Sequence, residues 1–221
     1  MTIIEKLALD FPCIVAVVGC GGKTSFIMRM AESLPDKKIL ISPTTKIFPI
    51  NAGNADCVGV LNAKTGKLAA LPEDELADLV PQYSIVLLEA DGSRSLPCKG
   101  WRANEPVVPS YCTHTIGIVT MNALGKPATE KYVLNLELFL ALTGLRENEI
   151  ITSEALKTMV CAPEGMFKNS MGKKILLVNQ VESPSSADDA RKFLLSIKED
   201  FPGFFEKLMF GSIHFDTWNE V

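Results

Sequence analysis

Residues 14–25 read Ile-Val-Ala-Val-Val-Gly-Cys-Gly-Gly-Lys-Thr-Ser. A β-branched apolar run passes into three glycines among four residues, then Lys23-Thr24-Ser25. Ile27, Met30, Ala31 and Leu34 follow at helical spacing. This order constrains the fold more than any other feature of the chain. A buried strand must end where glycines let the backbone turn, and a helix must begin at once. Such a turn gathers N–H groups at a helix N-terminus and suits a phosphate. The full phosphate loop, G-x-x-x-x-G-K-[ST], needs a glycine where this chain has Val17. The spacing therefore leaves either a strand-to-helix turn that merely needs glycines or a phosphate loop of an abbreviated kind.

In that reading Gly19, Gly21 and Gly22 form the cradle, with Ser25 beside it. Lys23 bridges the terminal phosphates and Thr24 turns its hydroxyl to Mg²⁺. The loop is similar to that of the Mur ligases and folylpolyglutamate synthases, Gly-x-x-Gly-Lys-[Ser/Thr], in which wrapping starts four residues before the lysine. Cys20 fills the free position. A thiol at a helix N-terminus can be acidified; a small tolerated residue is the simpler reading.

The rest of the chain has the same grammar. Apolar runs at 13–18, 38–42, 56–61, 67–71, 84–90, 114–120, 174–179 and 208–213 alternate with helical patterns at 24–34, 73–80, 133–142, 153–161 and 186–198. Several runs are continuous rather than alternating, as in strands covered on both faces. The expected fold is α/β: one P-loop-type domain over 1–221, with a mostly parallel sheet and helices on both faces. A small β-hairpin insertion at 56–71, turning at Lys64-Thr65-Gly66, is expected outside that sheet. Segment 133–142 is apolar on nearly every side and is expected to be buried; Ser153 is expected to open the helix at 153–161. Residues 92–113 make a long irregular loop from a strand's carboxyl end, where α/β proteins place function.

Phosphate chemistry needs an acid for the metal or its water, and charge near the terminal phosphate. The run Ser-Ile-Val-Leu-Leu-Glu-Ala-Asp-Gly-Ser-Arg, 84–94, ends an apolar strand in two acids. Alternation puts Glu89 and Asp91 on one side. Asp91 is expected to hold Mg²⁺ with Thr24, Glu89 to orient water, and Arg94 to meet a phosphate. Thr44, Thr45 and Lys46 end another strand and read equally as a switch-like loop or as a turn between Pro43 and Pro49. Asn179-Gln180-Val181-Glu182 partly matches the N-K-x-D guanine reader. A solvated strand end reads as well, so ATP and GTP both stand.

Taken together, "VVGCGGKTS", "SPTTKIFP", "LLEADGSRSLPCKGWRANEPVVP", "NALGKP", "APEGMFKNS" and "ILLVNQVE" resemble the YqeC-type selenium-dependent hydroxylase accessory family, over roughly residues 14–182. The EADGSR segment with Lys99 and Glu105-Pro106 is the most specific part. The resemblance implies a cytoplasmic accessory protein with a P-loop α/β fold, acting near maturation of selenium-dependent molybdenum hydroxylases. A molybdenum hydroxylase or its maturation proteins would then be partners.

Charge and composition narrow the alternatives. With 22 Lys+Arg against 26 Asp+Glu, a net −4, the chain lacks the basic footprint of a nucleic-acid or anionic-membrane binder. Its six cysteines include no C-x-x-C pair, which argues against zinc knuckles and disulfide scaffolds. The N-terminus has no basic, apolar leader pattern, and no apolar run reaches membrane-spanning length, so a cytoplasmic protein is expected. Three functions remain: an Mg²⁺-dependent nucleoside triphosphatase, a Mur-ligase-like phosphotransfer enzyme holding its acceptor with Arg94, Lys99, Arg102 and Glu105, and a non-hydrolytic docking module. Nothing in the sequence bears on oligomeric state.

Overall fold

A computed structural model describes residues 1–221. After a short helix α1 (Ile3–Leu7), strand β1 (Cys13–Gly19) runs into α2 (Lys23–Glu32), and β2 (Ile39–Pro43) returns parallel to it. β3 (Asp56–Cys57), β4 (Val60–Asn62) and β5 (Lys67–Ala69) precede α3 (Glu73–Leu79) and β6 (Ile85–Glu89). The long connection that follows contains only β7 (Cys98–Lys99) before β8 (His114–Thr120). Next come β9 (Val133–Leu134), α4 (Leu136–Thr143), α5 (Ser153–Cys161), β10 (Lys173–Asn179), α6 (Pro184–Asp200), β11 (Lys207–Ser212) and β12 (Thr217–Glu220).

Eight strands form one sheet in the order β12-β11-β10-β8-β1-β6-β2-β3. Only the β11–β12 pairing is antiparallel. The α/β class with a mostly parallel sheet is therefore correct. Central strands are buried on both faces, which is why they read as continuous apolar runs. One face buries Val15, Val17, Ile41 and Leu87 against Phe26, Ile27 and Met30 of α2. The other buries Val18, Leu88 and Leu176 against Phe139, Met159, Phe193 and Leu194 of α4, α5 and α6. No helix is long and apolar enough to cross a membrane.

Local signals explain the element ends. Thr152, not Ser153, caps α5, its hydroxyl accepting from Ala155 N at 3.2 Å. Ser183 and Ser186 form a reciprocal box that spans Pro184, the first residue of α6. The hairpin is smaller than expected: β4 pairs with β5, while β3 joins the main sheet beside β2. The Asn62 side chain accepts from the amides of Lys64 and Thr65 and closes the turn.

The segment 133–142 departs further from expectation. Its first two residues pair with β7, and Asn135, in the left-handed region, starts α4. Within α4 only Phe139 is buried, and Leu138 is 42 % exposed. The helix packs on α5 and on Gly100, where an added Cβ would lie 2.4 Å from Phe139 N, and presents its other side to solvent.

Candidate functional site

The carboxyl ends of β1, β6, β8, β10 and β11 converge on the glycine loop. Gly19 has φ +98°, and a Cβ there would stand 2.4 Å from Ile118 O and 2.8 Å from Met166 Cε. Gly22 has φ +125°, and a Cβ would lie 2.6 Å from Asn179 Nδ2. Backbone conformation and neighbouring atoms both demand glycine at these two positions. Cys20 N donates to Ile118 O at 2.7 Å, so the loop lies against the end of β8. The Cys20 thiol is fully buried, and burial pushes its pKa up to about 12 despite nearby Lys23. It packs there as a small neutral side chain.

Lys23 opens α2 and is almost wholly buried. Its Nζ donates to Gly19 O at 2.6 Å and to Ser93 Oγ at 3.3 Å, and lies 3.1 Å from Asp91 Oδ1. Burial disfavours the ammonium, but Asp91, with a smaller contribution from Glu89, more than offsets that, so its pKa rises. The lysine is held charged inside the protein.

Asp91 is completely buried. Its carboxylate accepts from Gly19 N, at 3.1 and 3.2 Å to the two oxygens, and from Trp101 Nε1 at 2.6 Å. Lys99 Nζ lies 3.7 Å from Oδ2 and continues to Glu105 at 2.9 Å and Gly92 O at 2.8 Å. Asp91 thus ties the glycine loop, Lys23 and the irregular 92–113 loop together.

Glu89 takes the other place: its Oε2 accepts from Thr24 Oγ1 at 2.9 Å. The structure thus joins Thr24 to Glu89, whereas the sequence reading paired it with Asp91. Burial raises the Glu89 pKa, with Lys23 and Thr24 pulling against it and Asp91 adding to it. Two residues apart on one strand end, the acids differ because Asp91 alone meets Trp101 and Lys99.

The remaining candidates are more dispersed. Thr44 N donates to Glu89 O at 3.1 Å and its hydroxyl to Val107 O at 2.6 Å, so it joins two loops. Thr45 Oγ1 is buried without a partner, while Lys46 is exposed. Arg94 is exposed, in the left-handed region at φ 50°. Ser25 is exposed beside the loop. Asn179 braces the loop: Nδ2 donates to Gly21 O at 2.7 Å and Oδ1 accepts from Ile213 N at 2.9 Å. Beside it a cavity of about 330 Å³ runs from Gly22 and Ser25 past Asn179 and Glu182 to Ser212 and His214.

Sequence reasoning missed three contributors. Trp101 stood in the long loop with no role at the site assigned, yet its indole is a direct partner of Asp91. Ser212 and Met166 carried no signal; the first donates to Glu182 at 2.9 Å and the second lies under Gly19. Ser212 and Met166 reach the site from far along the chain, and Trp101 comes to Asp91 through an irregular loop that leaves no local pattern.

Comparison with known proteins agrees with the resemblance noted above. The family model described as "YqeC protein" matches residues 15–65 and 52–137. An Escherichia coli (strain K12) protein described as "Uncharacterized protein YqeC" is 29% identical over 191 residues, covering 76% of this chain and 75% of its own. No solved structure matches the chain. With the family model spanning more than half its length, the glycine loop included, the chain belongs to the YqeC family.

Proposed function

We propose that this protein is an Mg²⁺-dependent nucleoside triphosphatase, using ATP or GTP, that serves as an accessory in maturation of a selenium-dependent molybdenum hydroxylase. One observation carries the phosphate chemistry: Thr24, next to buried Lys23 at the end of a glycine loop, hydrogen-bonds the strand-end carboxylate of Glu89. A turn that merely needed glycines would require neither group. The accessory role rests on the family resemblance, and the expected partner is such a hydroxylase or one of its maturation proteins.

The donor set suits the ion. Magnesium prefers oxygen ligands and keeps water and substrate phosphates in its shell. Thr24 and Glu89 offer two protein oxygens, and no group of three or more His, Cys, Asp or Glu stands ready to hold a metal alone. A metal arriving with the nucleotide fits that supply. Bound there, Mg²⁺ would neutralise phosphate charge.

The chain's own residues supply the rest. Amides of the loop and of the first turn of α2 receive phosphate oxygens, and Lys23 contributes a fixed positive charge. Asp91 positions Lys23 and the amide of Gly19. Glu89, the strand-end carboxylate that accepts from Thr24, would orient the attacking water. Arg94 is the exposed cation of the adjoining loop.

A second reading, a non-hydrolytic docking module, is favoured by the saturation of Asp91 with protein partners. Calorimetric titration with non-hydrolysable ATP and GTP analogues, with and without Mg²⁺, tests both. Metal-dependent binding that Lys23→Ala abolishes is expected. Phosphate release that Glu89→Gln stops while binding persists would establish turnover. Binding without release would favour the docking module, and no binding by folded protein would overturn both readings.

A further inference from the structure

The cavity at the carboxyl ends of β10 and β11 plays no part in the phosphate chemistry above. We infer that it is a guanine-selective base site, an inference that rests on the proposed nucleotide reading and specifies its substrate class. Position comes first. The cavity starts at Gly22 and Ser25, at the turn into α2, and extends away to Glu182, Ser212 and His214. A group bound there adjoins the phosphate cradle. Its volume of about 330 Å³ is within the ordinary range for small-molecule sites.

The wall is also fixed in advance. Asn179, only 4% exposed, is hydrogen-bonded on both sides, to Gly21 O and from Ile213 N. It locks the glycine loop to the segment after β11. Gln180 stands in the left-handed region, and its Oε1 is engaged by Thr120 Oγ1 at 2.7 Å and Asn122 Nδ2 at 2.8 Å. That leaves Glu182 as the open acceptor of this stretch. Its Oε1 accepts from Ser212, a residue 1% exposed, while Oε2 has no protein partner. The other acid on the wall, Glu32, lies 4.0 Å from Arg29.

Ligand chemistry then selects the base. An ionised carboxylate only accepts hydrogen bonds. Guanine presents N1–H and N2–H₂ side by side, two donors for one carboxylate. Adenine has an unprotonated N1 at the corresponding edge, whose lone pair faces the charge, and no amino group at C2. A carboxylate oriented by Ser212 therefore attracts guanine and repels adenine. Bidentate base contacts of this kind discriminate by roughly tenfold to a hundredfold.

The test titrates the full chain, with Mg²⁺, against GDP, IDP, ADP and XDP, beside Glu182→Gln and Lys23→Ala. GDP is expected to bind about ten- to a hundredfold more tightly than ADP, with IDP between them because it lacks the 2-amino group. Glu182→Gln exchanges an acceptor for an amide donor, so the preference should shift from GDP toward XDP, whose C2 carries an oxygen. Near-equal affinities for GDP and ADP, all abolished by Lys23→Ala, would overturn the guanine inference and leave the phosphate site standing. Failure of every nucleotide to bind folded protein would overturn both. If Glu182→Gln does not fold, the wild-type ranking alone decides.

Discussion

At the carboxyl ends of the central strands β1 and β6, Lys23, Asp91 and Lys99 are almost or wholly shut off from water, and both lysines pair with the aspartate. At the β10–β11 end, Glu182 is exposed and keeps one oxygen without a protein partner. The two regions carry similar chemical groups on different terms. Burying a charge is expensive unless partners surround it, so the first region has to be completed by the fold itself. Its geometry is set before any ligand arrives, which is what preorganised electrostatics requires. The second defers desolvation to the ligand, and that suits selection between ligands.

The largest expected effect is that of Asp91→Ala. It leaves the Lys23 ammonium, the Gly19 amide and the Trp101 indole N–H short of an acceptor, and should cost about 3–5 kcal/mol in urea unfolding. A loss below about 1 kcal/mol would break the contrast, because the network would then be as dispensable as a surface pair. Next is Gly22→Ala, which needs a positive φ from alanine and drives its Cβ toward Asn179. A destabilisation of about 1–3 kcal/mol is expected, read by thermal or urea denaturation.

Glu89→Gln sharpens the comparison in the opposite direction. The folded state holds the Glu89 proton more tightly than the unfolded chain does, because burial raises its pKa. Stability therefore falls as pH rises from the ordinary carboxylate value through the raised folded value, and stays level above it. Glutamine still accepts from Thr24 but never ionises. The variant should match wild type in acid and exceed it at neutral pH, a difference visible in urea midpoints measured across pH. The smallest effect belongs to Glu182→Gln, which should leave unfolding free energy within about 0.5 kcal/mol of wild type, since its stake is in ligand choice.

Much of the architecture was legible in the sequence because burial on both faces writes itself as unbroken apolar runs. The strands at 13–18, 84–90 and 114–120 appear where those runs lie. The glycine loop was legible for a similar reason: three positions need either positive φ or the absence of a side chain. Segment 133–142 misled because apolar content reports hydrophobicity without saying how many sides have neighbours, and α4 has them on one side. Strands β7, β9 and β12 are too short or too polar to leave a pattern. The division of labour between Glu89 and Asp91 was hidden because strand alternation treats them alike. Trp101 and Lys99 separate them, and those residues arrive by way of an irregular loop.

The central place of β1 has a consequence during synthesis. Val15 pairs with Leu87 on one side and with His114 on the other, so both neighbours of this strand are made long after it. At roughly 5–20 residues per second, the interval between β1 and β8 leaving the ribosome is on the order of 5–20 s. Until β6 emerges the apolar stretch before the glycine loop has no strand partner, and until β8 emerges one of its edges stays open. Slowed translation before β8 has left the ribosome therefore lengthens the time that stretch is available to chaperones or to other nascent chains, whereas slowing after that point finds both neighbours of β1 at hand.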